Sequence, residues 1–320
     1  WINAIIPILI VPYYSVIGGW VIKYLIEYFA GHSKTLAGDA YFTTFISNGW
    51  STEICFIIFT LFTLGIIYAG VRNGIERVSK FMMPILIVLS LIIAVYSVTR
   101  PGAIEGVKYF LVPNFDHFSW MTVVSAMGQM FYSLSIAMGI LITFGSYMKK
   151  DTSIEKSTEN VEIFDTAIAI MAGLMIIPAV FAFSGGNAET LKSGPALMFI
   201  TIPKVFANMG FGTAIGVVFF LLVLFAAVTS SIALTESAVS TFEDELHWSR
   251  KKSTVFMGMV MLLLGTLSCL GYGPLANFKI LGMQFLDFFD FITNSVMMPI
   301  AAIATCLLVS KVVGVDKIEE

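Results

Sequence analysis

One run of apolar residues constrains this chain most, because it is long enough to cross a bilayer and yet contains consecutive hydroxyl side chains. The run extends from Phe219 to Leu234, and Thr229, Ser230 and Ser231 lie inside it. Hydrocarbon contains no water, so polar groups at that depth find partners or face a cavity. Neutral oxygens without a nearby positive charge suit a small hard cation such as Na⁺. Alternatively, the hydroxyls join neighbouring helices or bond back to carbonyls of their own helix.

Composition places the whole chain in a membrane. Apolar residues make up 58% of the sequence and charged residues only 12%, whereas soluble domains carry about twice that charged fraction. We therefore predict a multi-pass α-helical membrane protein whose first partner is the lipid bilayer. The sequence contains no basic stripe that would indicate a nucleic-acid partner. The cysteines, which we expect to pack as small hydrophobic residues, have neither metal-site nor disulfide spacing: Cys55, Cys269 and Cys306.

The hydrophobic segments are each near the roughly 20 residues that a membrane helix needs. We predict eight of them within one transmembrane domain over residues 1–320, at 1–29, 51–70, 81–98, 120–147, 163–184, 213–241, 253–271 and 283–310. The first, fourth, sixth and eighth are long, so we expect tilted, kinked or broken helices there. The chain opens with Trp1 inside an apolar segment, and we expect it to be an internal piece of a longer protein.

The basic residues in the loops predict the orientation. Eleven lie in one set of loops: Arg72, Arg77, Lys80, Lys149, Lys150, Lys156, Arg250, Lys251, Lys252, Lys311 and Lys317. Six lie in the alternate set: Lys34, Arg100, Lys108, Lys192, Lys204 and Lys279. The richer side is expected to be cytoplasmic, so both ends of the chain would face the cytoplasm.

Two outer connections are long, over residues 99–119 and 185–212. The second contains an apolar stretch from Leu197 to Pro203. It is either a short helical hairpin that dips into an outer vestibule or a loop packed on the helix ends.

The fourth segment carries polar and flexible residues at its centre: Gly128, Gln129, Ser133, Ser135 and Gly139. Unwinding there would free backbone carbonyls and amides at mid-membrane depth, where transporters with discontinuous helices bind ions and carboxylates. The alternative is an intact helix whose glycines allow close packing.

Six runs in series resemble the neurotransmitter:sodium symporter family, and specifically its bacterial amino-acid transporter branch. They are PYYSVIGGW at 12–20, GQMFYSLSIAMG at 128–139, SYMKKD at 146–151, TSSIAL at 229–234, EDEL at 243–246 and LDFFD at 286–290. The resemblance implies an all-α fold built from an inverted five-helix repeat, the leucine-transporter-like fold, of which this chain holds about helices 3 to 10. It also implies two sodium sites, each completed by helices outside this chain.

The resemblance implies a substrate pocket. Tyr14 matches the tyrosine whose hydroxyl donates to the substrate carboxylate. Tyr132 matches the aromatic lid, which is Phe in most relatives. The remaining pocket residues are Ser133, Ser135, Met138, Ser231 and Leu234, and Met138 replaces an aromatic residue of some relatives. For Met138 and Leu234, a plain packing role is equally compatible with the sequence.

The resemblance also implies the ion sites. The Ala226 carbonyl and the Thr229 and Ser230 hydroxyls match the second sodium site, and Ser133 matches the first. Neutral ligands hold Na⁺ weakly enough to release it. Gln129 and Asp165 match a locus that holds chloride in animal relatives and a carboxylate in many bacterial ones, so chloride is not expected to be required. Asp165 could instead cap the N-terminus of the fifth segment.

Acidic residues near the helix ends match the gates. Asp290 matches the outer-gate carboxylate and Asp244 the inner-gate carboxylate, which Tyr147 would support. Asp287 and Glu236 are left undecided between structural and solvated roles.

These matches imply a sodium-coupled symporter in the inner (plasma) membrane that imports an amino acid by alternating access. The side chain recognised would be apolar or aromatic. A channel or substrate sensor on the same scaffold is the alternative. An intramembrane enzyme is disfavoured because His32, His117 and His247 lie in predicted loops, so no catalytic residue is assigned. The sequence leaves the oligomeric state open.

Overall fold

A computed structural model describes residues 1–116, 118–186, 191 and 194–314. Helices account for its regular structure, and no extended strand is found in these ranges. The α-helices are α1 (Ile2–Phe29), α2 (Ser33–Leu36), α3 (Tyr41–Ser47), α4 (Gly49–Tyr68), α5 (Arg77–Val98), α6 (Ala103–Leu111), α7 (Trp120–Ser133), α8 (Ile140–Ser146), α9 (Ile154–Ser184), α10 (Ile202–Ala207), α11 (Gly212–Leu246), α12 (Arg250–Leu270), α13 (Phe285–Asp290) and α14 (Met298–Leu308). The predicted loop positions of His117, Lys192 and Lys317 lie outside the described residues.

Short π-helical turns extend several of these helices. They are Val71–Glu76 before α5, Leu197–Thr201 before α10, Phe291–Met297 between α13 and α14, and Val309–Val313 after α14. Among the described residues, seven continuous helices are long and apolar enough to cross a membrane. They correspond to all the predicted segments except the fourth, which is split between α7 and α8. The predicted interruption is therefore present in the structure.

The fifth span begins much earlier than its apolar segment. Its helix, α9, starts at Ile154, where the Ser153 hydroxyl accepts a hydrogen bond from the backbone amide of Lys156. Charged residues favour helix formation well enough to extend the span beyond its apolar part. Asp165 consequently lies inside a continuous helix, and the alternative that it caps the helix is wrong.

Helix α1 forms the centre of the bundle and packs against α4, α11 and α12. Two glycines of α1 allow a close approach to α4. A Cβ atom on Gly19 would lie 2.6 Å from the backbone nitrogen of Phe56 in α4, so any larger residue there would force the helices apart. A Cβ atom on the preceding residue, Gly18, would lie 2.5 Å from the ring of Phe59.

The apolar stretch in the second outer connection is helical and buried, not a solvated loop. Phe199, in the turn before α10, stacks on Phe42 with ring centroids 5.1 Å apart. Its backbone carbonyl accepts a hydrogen bond of 2.7 Å from the Tyr24 hydroxyl of α1. These contacts dock the connection onto one end of the central helix.

Candidate functional site

The interruption between α7 and α8 determines the geometry of the site. Ser135 and Ala137 have φ values of 55° and 64°, and Gly139 has a φ of 74°. The left-handed region is unfavourable for residues with a Cβ atom, so ordinary helix cannot continue through residues 134–139. Ser133 is the last residue of α7, which places its hydroxyl at the edge of the break and not deep in a regular helix.

A cavity of about 430 Å³ lies beside this break, between α1, α5 and α11. It is lined by most of the residues that the sequence predicted for substrate and sodium, and also by Gln129 of the predicted chloride or carboxylate locus. The substrate and sodium residues are Tyr14, Tyr132, Ser133, Ser135, Met138, Thr229, Ser230 and Leu234. Ile10, Met83, Ile140 and Ala233 complete the lining with apolar surface. Residues from distant parts of the chain therefore meet in one space that is apolar on most sides and polar at a few defined points.

The hydroxyls of α11 do not all point to this cavity. The Thr229 hydroxyl lies 3.0 Å from the backbone carbonyl oxygens of both Phe225 and Ala226, as the self-bonding alternative anticipated. Donating its one proton still leaves the Thr229 oxygen with lone pairs for a cation. The neighbouring Ser230 lines the same cavity as Tyr14.

Ser231 and Ala226 lie outside the cavity lining. Consecutive residues of a helix are separated by about 100° around its axis, so Ser231 faces α4, where its hydroxyl lies 3.3 Å from that of Thr63. This geometry does not support the prediction that Ser231 walls the pocket. Ala226 is half-buried and offers its carbonyl to Thr229.

A carboxylate is paired with the hydroxyl at the break. Ser133 Oγ lies 2.7 Å from Oδ1 and 2.9 Å from Oδ2 of Asp165 in α9. The hydroxyl donates to this carboxylate, and its oxygen remains available as an acceptor on the cavity side. Gln129, one turn earlier in α7, lines the same cavity. Gln129 and Asp165, the residues predicted for the chloride or carboxylate locus, therefore both lie beside Ser133.

At one end of the bundle, Asp290 is held by residues that the sequence analysis did not single out. The Tyr13 hydroxyl donates to its Oδ1 at 3.2 Å and the Asn294 amide donates at 2.5 Å. The π-helical turn Phe291–Met297 begins at the next residue, and such turns are frequent at functional sites. Asp287, one turn earlier, accepts a hydrogen bond of 3.0 Å from Tyr272. Burial beside Asp287 raises the pKa of the Tyr272 phenol.

At the opposite end, a buried ion pair joins α11 to α12. Glu236 is 0% exposed, and its carboxylate lies 2.5 Å and 3.0 Å from the two Nη atoms of Arg250. Tyr147 donates to the same carboxylate at 2.6 Å, and the Nε of Arg250 donates to the Ile67 carbonyl at 2.9 Å. Tyr147 therefore contacts Glu236, whereas Asp244, the residue predicted for this gate, is exposed and makes no ion pair in the part of the chain that the structure describes.

The comparisons with known proteins agree with this architecture. The model of the sodium:neurotransmitter symporter family matches residues 27–320. An uncharacterized sodium-dependent transporter of Bacillus subtilis, YhdH, is 35% identical over 312 residues, covering 97% of this chain and 68% of the relative. An uncharacterized sodium-dependent transporter of Haemophilus influenzae is 30% identical over 308 residues, covering 94% of this chain and 66% of the relative.

A solved structure is also similar. The crystal structure of MhsT in complex with L-phenylalanine superimposes with a TM-score of 0.84 at 35% identity, covering 96% of this chain and 70% of MhsT. This similarity confirms the predicted all-α, leucine-transporter-like fold. With a family model over most of its length and a shared fold, the chain belongs to the sodium:neurotransmitter symporter family, a family of sodium-dependent membrane transporters.

Proposed function

We propose that the protein is a sodium-coupled symporter that imports an amino acid with an apolar or aromatic side chain by alternating access. One observation carries this proposal: a single cavity at a broken helix is lined by Tyr14, Ser133, Thr229 and Ser230. Those groups provide a phenolic donor for a carboxylate and neutral oxygens for Na⁺ within the same space. Broken helices at such sites recur in secondary transporters.

The cavity wall supports the substrate class. Tyr14 donates a hydrogen bond to the substrate carboxylate, and Tyr132 covers the ligand with its ring. Met138 is only 3% exposed and lines the cavity together with Leu234, so the substrate side chain meets apolar and polarisable atoms there. The complex of the relative MhsT with L-phenylalanine supports the same class and suggests that amino acid as the first ligand to test.

Sodium is the coupling ion, and it binds at two places in this proposal. Thr229 and Ser230, with the Ala226 carbonyl, contribute to one site. Ser133 contributes to the other, beside the substrate. A cation held next to the substrate carboxylate raises the affinity for the substrate, and by reciprocity the substrate raises the affinity for Na⁺. Asp165 supplies a fixed negative charge at the site to which Ser133 contributes, so chloride is not required.

Two sets of contacts act as gates. Asp290 closes the outer side, held by Tyr13 and Asn294 in the state described above. The inner side is closed around Glu236, Arg250 and Tyr147, with Asp244 at the exposed rim. The positive-inside rule supports this assignment, because Arg250 begins α12 on the side of the bundle that is richer in basic residues. The proposal places the protein in the plasma membrane with both ends of this chain in the cytoplasm, acting as a transporter and not as an enzyme.

Uptake by the full-length protein in sealed proteoliposomes tests the proposal. We expect saturable accumulation of labelled L-phenylalanine that requires an inward Na⁺ gradient and proceeds with a fixed ratio of ²²Na⁺ to amino acid. Replacing external chloride by gluconate should leave the uptake unchanged. Na⁺ current without stoichiometric amino-acid movement would indicate a channel, and Na⁺-dependent binding without uptake would indicate a substrate sensor.

A further inference from the structure

An apolar groove lies on the surface of the helix bundle between α4, α5 and α11. It has a volume of about 390 Å³ and is lined by Phe62, Val78, Phe81, Leu224 and Val228, together with one charged residue, Arg77. The rings of Phe62 and Phe81 are exposed by 53% and 67%, so the groove opens at the surface of the described part of the chain. It shares no lining residue with the cavity at the broken helix.

The single cation of this groove is uncompensated. Arg77 is the first residue of α5, and no hydrogen bond or ion pair is found for its side chain among the described residues. The adjacent carboxylate of Glu76 is bound to Lys80 at 2.6 Å and so is already neutralised. Arg72 lies close enough to influence Glu76 as well, so this end of the groove keeps a net positive charge.

The surroundings and the chemistry of the groove restrict what can fill it. A concave apolar surface inside a bilayer meets acyl chains. Arginine near the end of a membrane helix extends towards the headgroup level. Its planar guanidinium binds phosphate through two parallel hydrogen bonds. We propose that the groove binds one acyl chain of an anionic phospholipid, with the phosphate of that lipid on Arg77.

This proposal does not depend on transport and can be tested by lipid retention. The full-length protein would be reconstituted in nanodiscs with equal amounts of phosphatidylglycerol and phosphatidylcholine of identical chains, then released for native mass spectrometry. We expect one retained phospholipid per protein, with phosphatidylglycerol favoured about fivefold, the preference that one basic residue near the surface gives. The variant Arg77→Gln should bring the two lipids close to equal retention.

A substitution that fills the groove with a larger side chain should abolish retention of both lipids. Val78 lines the groove, and Val78→Trp would occupy the space of the acyl chain. Should that variant misfold, Phe81→Ala at an exposed position removes one wall instead and should weaken retention of both lipids. Val88 is 54% exposed on the same helix and does not line the groove, so Val88→Trp is the matched control. Lys156→Gln removes an exposed cation from α9 and controls for charge; both controls should retain lipid as the wild type does.

Three outcomes would overturn the proposal. The first is an unchanged lipid ratio in Arg77→Gln, and the second is retention by Val78→Trp and Phe81→Ala equal to that of Val88→Trp. The third is equal displacement of the retained lipid by lysophosphatidylglycerol and by sn-glycerol 3-phosphate, a headgroup without a chain. We expect only lysophosphatidylglycerol to displace the lipid, and equal displacement would show a site for phosphate alone.

Discussion

The hydroxyl of Ser133, at the end of α7, donates to the carboxylate of Asp165 across a gap of 32 residues in sequence, at 2.7 Å to Oδ1. This pair places a negative charge behind the residue that faces the cavity. A carboxylate within a few ångströms of a bound cation stabilises that cation much more strongly in a membrane interior than in water. Ser133 thereby connects the fixed charge to the proposed sodium site.

Neutralising this charge should create a requirement for chloride. In Asp165→Asn, we expect Na⁺ affinity in chloride-free buffer to fall by at least about fivefold, the lower end of typical coupling between sites. Chloride should restore it, because an anion can replace the lost charge. The measurement is Na⁺-dependent binding of labelled L-phenylalanine in chloride and in gluconate.

Asp151→Asn is the matched control for that experiment, since Asp151 is exposed in the connection before α9. It should show no chloride effect. A full loss of binding in Asp165→Asn that chloride fails to restore would contradict the proposed electrostatic role.

Tyr14→Phe should weaken substrate binding by roughly tenfold or more, because a hydrogen bond to a charged group contributes about 1.5–3 kcal/mol. The loss should be specific to the carboxylate. L-Phenylalanine and phenethylamine differ in that group, so competition by both ligands in the wild type and the variant isolates it. We expect the variant to bind L-phenylalanine more weakly than the wild type does and to bind phenethylamine with unchanged affinity.

Tyr24→Phe controls for a general effect of removing a hydroxyl from α1, because Tyr24 donates to the Phe199 carbonyl and not to the cavity. Its affinity for L-phenylalanine should remain near that of the wild type. Equal loss for amino acid and amine in Tyr14→Phe would place the effect in packing and not in carboxylate recognition.

Removing Arg250 should destabilise the protein strongly. Arg250→Met leaves the fully buried Glu236 carboxylate without its cation, and breaking a buried pair in this way costs about 3–5 kcal/mol. The double variant Glu236→Gln/Arg250→Met removes both charges and should recover most of that loss. Thermal unfolding of the wild type, Arg250→Met, Glu236→Gln and the double variant in one detergent gives the double-mutant cycle.

Additive losses in that cycle would mean that the two side chains contribute independently. Lys252→Met is the comparison for charge removal in α12, because Lys252 is exposed and its Nζ lies over the Trp248 ring, 4.0 Å from the centroid. It should change the unfolding temperature little.

Much of this fold follows from the sequence because membrane helices are encoded by local composition. Apolar length predicted the spans, and Ser133, Ser135 and Gly139 predicted the break of the fourth segment, although Gly128 remains inside α7. The start of α9 was missed, since charged residues before an apolar segment carry no signal that distinguishes a loop from an exposed helix end.

The pairings within the site required more than local pattern. Tyr13 and Tyr14 are adjacent in sequence but point to different places, towards Asp290 and into the cavity. Glu236 and Arg250 are separated by 14 residues and meet because a short connection makes α11 and α12 antiparallel neighbours. An acidic residue inside a spanning segment and an arginine at the start of the next span are the signals that could have suggested this pair.

The proposed function requires that the cavity at the broken helix binds Na⁺ through hydroxyls of α11. Titration of L-phenylalanine binding with Na⁺ in the Thr229→Ala/Ser230→Ala variant of the full-length protein tests it most directly. Thr235→Ala is the matched control, because Thr235 also donates to the carbonyl four residues earlier but lies outside the cavity. We expect Na⁺ dependence to disappear in the double variant and to persist in the control. Unchanged Na⁺ dependence in the double variant would contradict it.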